Sequence, residues 1–213
     1  ADARADRHHP PAPAAPGDRG GLDPDLIGPL GHDIRHPRVE LVGITTRGDR
    51  EPGDLGALGG KGLFTQELER GLLEGSLDLA VHSLKDLPVG TAGGLEIAAF
   101  PRRGDPRDAL ISETGDLEAL PEGAVVLTGS LRRRALLLAH RPDLRIEGLR
   151  GNVDTRVRKW RQSGHAGLIL ALAGLERLGL ADALPAHPLD PRTFPPAPGQ
   201  GTLAVQVRRG SRA

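Results

Sequence analysis

Ala80-Val81-His82-Ser83-Leu84-Lys85-Asp86-Leu87-Pro88 carries a short apolar strand straight into a cluster of polar and ionisable side chains and stops at a proline. Leu77, Leu79 and Val81 alternate, which predicts a strand with one buried face, and Pro88 lacks a ladder donor and biases Leu87 away from helix. Lys85 and Asp86 therefore fall at the carboxyl end of a strand. In open α/β sheets that end faces the ligand crevice, where a carboxylate beside an ammonium stays ionised and handles protons or cations. A surface ion pair at a strand exit has the same local pattern, so the flanking sequence must decide.

Upstream, Val39-Glu40-Leu41-Val42-Gly43-Ile44 reads as a strand and Thr45 to Asp49 as the loop leaving it. Residues 50–60 form a Gly-rich loop, and Phe64, Leu68 and Leu72, with Leu73 beside them, predict an amphipathic helix from about Leu63 to Glu74 that ends near Gly75. Strand, loop, helix, strand is a βαβ unit with an expected right-handed crossover. Downstream, Val125-Val126-Leu127 is a strand, Ser130 caps a helix from Leu131 to His140, and Arg145 to Leu149 is the next strand. Asn152 is expected to cap a helix through about Gln162, and Gly167 to Ala171, apolar throughout, reads as a strand covered on both faces. Proline-rich passages from Pro101 to Arg107 and from Pro185 to Pro198 flank this second run, and Leu203 to Val207 returns as a strand. The expected class is α/β, with domain 1 at 39–100 plus 197–208 and domain 2 at 105–190 inserted into it. Residues 1–38, with neither a period of 2 nor of 3.6, are read as poorly ordered, and the His8-His9 pair as solvated tail.

Composition narrows the function classes. A formal net charge of zero offers no bulk attraction to nucleic acid or anionic membrane, and aromatics at 2% leave no base-stacking platform. No stretch approaches the roughly 20 apolar residues of a membrane span and no signal-peptide core is evident, so a cytoplasmic protein is expected. Zero cysteines exclude disulfides, thiolate metal sites, thiol nucleophiles and sulfur-linked cofactors from these 213 residues. No metal site is expected.

Two turns have the chemistry of anion binding. Ser130, Arg132 and Arg133 stand at the first turn of a helix, where free N–H groups and the dipole favour an anion. Arg150-Gly151-Asn152-Val153-Asp154-Thr155-Arg156 repeats the device, with a glycine for close approach and bracketing arginines that suit carboxylates. Together they describe a site for a small polyanion. Gly60-Lys61-Gly62 is only a fragment of a phosphate-binding loop.

Gly59-Gly60-Lys61-Gly62-Leu63-Phe64-Thr65, Val81 to Pro88, Asp105-Pro106-Arg107-Asp108-Ala109, Ser130-Leu131-Arg132-Arg133, Leu149 to Arg156 and Pro196-Ala197-Pro198-Gly199-Gln200-Gly201 follow one another in order. Between about Val39 and Val207 the chain thus resembles porphobilinogen deaminase, also called hydroxymethylbilane synthase. The resemblance implies two periplasmic-binding-protein-like (type II) α/β domains, the second inserted in the first, followed by a small third domain. It implies a transferase of tetrapyrrole and haem biosynthesis that condenses four porphobilinogen molecules into hydroxymethylbilane and releases ammonia. By the same resemblance Asp86 is the catalytic acid with Lys85 beside it. Lys61, Ser130, Arg132, Arg133, Arg150, Thr155, Arg156 and Gln200 would bind the carboxylates of substrate and dipyrromethane cofactor, with Asp49 near them. The expected partner is porphobilinogen, with no nucleic acid and no membrane, and the expected state is a monomer.

Three departures accompany the resemblance. The family's first strand with its Gly-Thr-Arg-x-Ser motif has no match in residues 1–38, which suggests a frameshift or mis-set start. The third domain is expected to be absent, and no cysteine is present to hold dipyrromethane by a thioether. Leu127-Thr128-Gly129-Ser130 replaces Gly-Thr-Ser-Ser, with one hydroxyl fewer. The chain is therefore expected to be an inactive or partial enzyme. A non-catalytic module that binds a small polycarboxylate is the alternative. A nucleic-acid contact at Arg145 to Arg161 is disfavoured by the charge balance.

Overall fold

The computed structural model describes residues 39–44 and 65–211. Residues 1–38, the expected loop at 45–60 and the start of the expected helix lie outside the described residues. The chain divides into compact units at residues 1–43 and 44–213, and among the described residues all the helices and strands lie in the second.

Helix α1 (Gln66–Glu74) leads into β1 (Leu79–Ser83), and β2 (Leu95–Ala99) follows. Gly75 stops α1 in the left-handed conformation, φ 78°, with its N–H on the carbonyls of Gly71 and Leu72. After β3 (Asp108–Ile111) and β4 (Val125–Leu127) come α2 (Leu131–His140), β5 (Arg145–Glu147), α3 (Val153–Ser163), β6 (Gly167–Ala171), α4 (Leu172–Arg177), β7 (Ala186–Pro188) and β8 (Leu203–Arg208).

The strands form two sheets. In the smaller, β8 lies between β1 and β2 and is antiparallel to both, with Leu79 opposite Val207 and Ser83 opposite Leu203. The late strand thus returns between two early ones, as the sequence suggested. In the larger, of order β5-β4-β6-β3-β7, β4 is parallel to β5 and β6, whereas β3 runs antiparallel to β6 and β7. In this mixed sheet β3, the first of its five strands in chain order, is the one that runs against its neighbours.

Period-2 geometry splits the larger sheet's side chains between two apolar layers. Ala109, Ile111, Leu127, Leu168 and Leu170 join Val157 and Trp160 of α3 and Leu172 and Leu175 of α4 on one side. Leu110, Val126 and Ile169 meet Leu137 of α2, Leu117, Leu120 and Phe194 on the other. Both faces are covered, which is why β3 is buried at all four positions and β6 is apolar without alternation. The smaller sheet has a modest core of Leu72, Ala80 and Leu95.

Three expectations are corrected. Val39 to Ile44 is not a strand, and Val39, Leu41 and Val42 are exposed; among the described residues the segment takes part in no ladder, and extended backbone without one is not a strand. In β1 the buried face is Ala80 and His82, while Leu79 and Val81 are 44% and 55% exposed, because α1 packs on the even-numbered side and nothing described covers the other. Asn152 occupies the N-cap of α3 but makes no side-chain cap bond, whereas Ser130 accepts from the Arg133 amide as expected.

Candidate functional site

Lys85 and Asp86 lie on a single 3-10 turn, Leu84–Asp86, directly after β1, and Leu87 returns to extended geometry ahead of Pro88. Asp86 is exposed and Lys85 half-buried. The Lys85 ammonium donates to Gln200 Oε1 at 3.4 Å. Gln200 is buried, and its amide donates to Pro106 O at 2.7 Å and Asp108 Oδ1 at 2.9 Å.

Asp108 opens β3 and is fully buried. Arg133 reaches its Oδ1 through Nε at 3.0 Å and Nη2 at 2.7 Å, and Arg132 reaches Oδ2 through Nη2 at 2.7 Å. Arg133 also donates to Ile169 O, so this guanidinium is 5% exposed and committed to the protein. Arg132 keeps more freedom, its other arm on Pro195 O. A continuous polar line therefore runs from Lys85 through Gln200 and Asp108 to the start of α2.

The second anion turn lies against the first. A side chain at Gly129 would put its Cβ 2.7 Å from Leu149 O, so the two turns approach closely here. The Thr128 hydroxyl accepts from the Ser130 amide. Gly151, at φ 120°, sits beneath the Thr155 methyl, so Thr155 packs on the turn. Arg156 donates to Gly151 O, and Lys159 donates to Arg150 O. The connections between the sheets run side by side here: Gly104 N–H bonds Gly201 O at 2.9 Å, and Arg103 and Arg177 donate to the carbonyls of Gln200 and Gly201. Gly201, φ 86°, admits no Cβ, which would stand 2.6 Å from Gly104 O.

Electrostatics tie these groups into one field. Burial, and then Arg133, pushes the Lys85 ammonium below its usual range, while Asp86 and Asp108 oppose the shift. Burial, and then Arg133, also lowers Arg156, again opposed by Asp86. Asp86 is thus the carboxylate that both cations feel. Behind it, His82 Nε2 bonds Gln206 Oε1 at 2.9 Å, the Gln206 amide donates to Glu69 at 3.2 Å, and burial lowers the His82 pKa.

The sequence-expected residues Lys85, Asp86, Ser130, Arg132, Arg133, Arg150, Thr155, Arg156 and Gln200 come from the ends of β1, β4 and β5 and the strand-linking segment before β8. Lys61 and Asp49 lie outside the described residues. Nothing local in the sequence distinguishes Asp108 from Asp105, three residues earlier, which pairs with Arg107. No cluster of three or more His, Cys, Asp or Glu among the described residues would hold a metal ion, and no helix among them is long and apolar enough to cross a membrane.

The family model for porphobilinogen deaminase, dipyromethane cofactor binding domain, matches residues 28–213. The chain belongs to the porphobilinogen deaminase family. It is 52% identical over 195 residues to the porphobilinogen deaminase of Phenylobacterium zucineum, covering 90% of this chain and 59% of that protein. With that of Rubrobacter xylanophilus it is 52% identical over 174 residues, 81% of this chain and 56% of that protein. The chain thus spans somewhat under 60% of the length of these curated relatives. Among solved structures, a periplasmic binding protein of an ABC transporter from Brucella ovis with glutathione bound is 13% identical at a TM-score of 0.41, covering 68% of this chain and 47% of that one. The periplasmic VFT2 domain of Bordetella pertussis BvgS is 15% identical at 0.39, covering 68% and 61%.

The family's cofactor can be tested against these donors. Ser130, Arg132, Arg150 and Arg156 with the first turn of α2 suit the carboxylates of a dipyrromethane. The thioether has no sulfur to form with, since these 213 residues contain no cysteine.

Proposed function

We propose that this chain is the carboxylate-binding and acid-bearing part of a porphobilinogen deaminase, the transferase that joins porphobilinogen units into hydroxymethylbilane with loss of ammonia. The two sheets would be the cores of two domains, 39–100 plus 197–208 and 105–190. The observation that carries the reading is the meeting of the Lys85-Asp86 turn with Arg132, Arg133 and Arg156 across Gln200. The acetate and propionate groups of porphobilinogen suit Arg132, Arg150, Arg156 and the α2 N-terminus. Asp86, exposed and flanked by cations, is placed to pass a proton to the departing aminomethyl group and then, as carboxylate, to face the cation left behind. Lys85 stands beside that carboxylate, its ammonium on Gln200 Oε1. A monomer in the cytoplasm, binding neither nucleic acid nor membrane, completes the proposal.

The test is ammonia release and uroporphyrin formation from porphobilinogen, with intact mass recorded on the same sample. Without a thioether anchor this chain is expected to bind porphobilinogen saturably, gain no cofactor mass and not turn over. Steady turnover would refute the requirement for the anchor. In a relative-length protein carrying the cysteine, Asp86→Asn should lower kcat by 100-fold or more, as expected for loss of a general acid.

A further inference from the structure

We propose that Asp108, fully buried and outside the set of groups that would meet substrate, is the positioning residue of the site. Its carboxylate holds Arg132 and Arg133 at the start of α2 and, through Gln200, holds Lys85 at the end of β1. This deepens the carboxylate-binding reading above and rests on it for its consequence. Donors converge on Asp108 from two directions: Arg132 Nη2, Arg133 Nε and Nη2, and Gln200 Nε2, all within 3.0 Å. A buried carboxylate that accepts four donors sets the orientation of every group that bonds it. Gln200 is oriented by it in turn, because the amide nitrogen is held by Asp108 and Pro106 O, and only the carbonyl oxygen is left to face Lys85. Removing this charge leaves two guanidinium groups close together without their shared counterion, so both would swing away from the positions a ligand carboxylate needs.

Asp108→Asn is the decisive variant, because an amide offers one acceptor edge where four donors point. Two measurements are made on the whole 213-residue chain: calorimetric titration with porphobilinogen, and the pH dependence of Lys85 acetylation read by mass spectrometry. Lys85 faces Gln200, Asp86, Asp108, Arg133 and Arg156, so losing the Asp108 charge disfavours the ammonium and moves labelling to lower pH. The expected result is binding weakened roughly tenfold, as for losing a charge-assisted contact, with that shift in labelling. Tighter binding would mean that Asp108 merely competes with the ligand for the arginines, and overturns the proposal. So does an unchanged Lys85 profile in a folded variant. If Asp108→Asn does not fold, Gln200→Met cuts the Lys85 branch and leaves both arginine pairs intact; the same labelling shift supports the proposal and its absence in folded protein overturns it. Failure of the unaltered chain to bind porphobilinogen refutes the functional reading instead, and the labelling result still decides the role of Asp108.

Discussion

Gly129→Ala separates the two anion turns, and its effect follows from one distance. The new Cβ would lie 2.7 Å from Leu149 O, against an ordinary contact of 3.4 Å or more, so a backbone carbonyl must retreat by several tenths of an ångström. That carbonyl cannot move alone, because Thr128 N–H is bonded to Glu147 O at 2.9 Å in the same strand pair. Overpacking of this kind costs about 1–3 kcal/mol. The alanine recovers about 0.4–1 kcal/mol by restricting the unfolded chain, leaving a net loss between zero and about 2.6 kcal/mol, centred on about 1.3 kcal/mol. Gly148 provides the matched control, since nothing lies within 4 Å of its Cβ position and its φ is not positive; Gly148→Ala should be neutral or slightly stabilising. Urea unfolding followed by the fluorescence of Trp160, the single tryptophan, 4% exposed and bonded to His165 O, reports the larger sheet directly. With a slope of about 2 kcal/mol/M the Gly129→Ala midpoint should fall by about 0.5–1 M. A midpoint equal to or above that of Gly148→Ala would refute the close approach of the two turns.

Two further outcomes are expected. Burial lowers the His82 pKa below its unfolded value of 6.5, so the unfolded chain takes up the proton first: the stability is fully present above pH 6.5 and is lost as pH falls toward the folded value. The urea midpoint should therefore drop between pH 6.5 and 5 in the unaltered chain and drop less in His82→Gln; equal slopes would remove His82 as the cause. Val81 and Leu79 form an exposed apolar stripe on β1, so the chain, a monomer when dilute, should aggregate non-specifically at high concentration, and Val81→Lys should suppress this in light scattering, with identical behaviour of the two chains counting against that surface.

What the sequence could establish was local. Leu131 to His140 was legible as a helix because Ser130 is a cap and the apolar period is 3.6, and Gly167 to Ala171 as a two-sided strand because it is apolar without alternation. The turn bearing Lys85 and Asp86 was legible because Pro88 punctuates it, and the return of β8 because proline-rich crossings bracket the second run. Strand status for Val39 to Ile44 was not decidable from its own residues, since a strand exists only when a neighbour accepts its hydrogen bonds. Nor was the buried face of β1, where Ala80 and His82 are covered and the more apolar Leu79 and Val81 are not: burial depends on which side α1 packs. Asp108 was invisible for the same reason. Its ion pairs span 24 and 25 residues and its contact with Gln200 spans 92, and such pairings carry no sequence period. The sequence determined which residues could bind anions and carry protons; only the tertiary structure decided that Arg133 spends its charge on Asp108 while Arg132 shares it, because a buried carboxylate takes the donors that geometry brings to it.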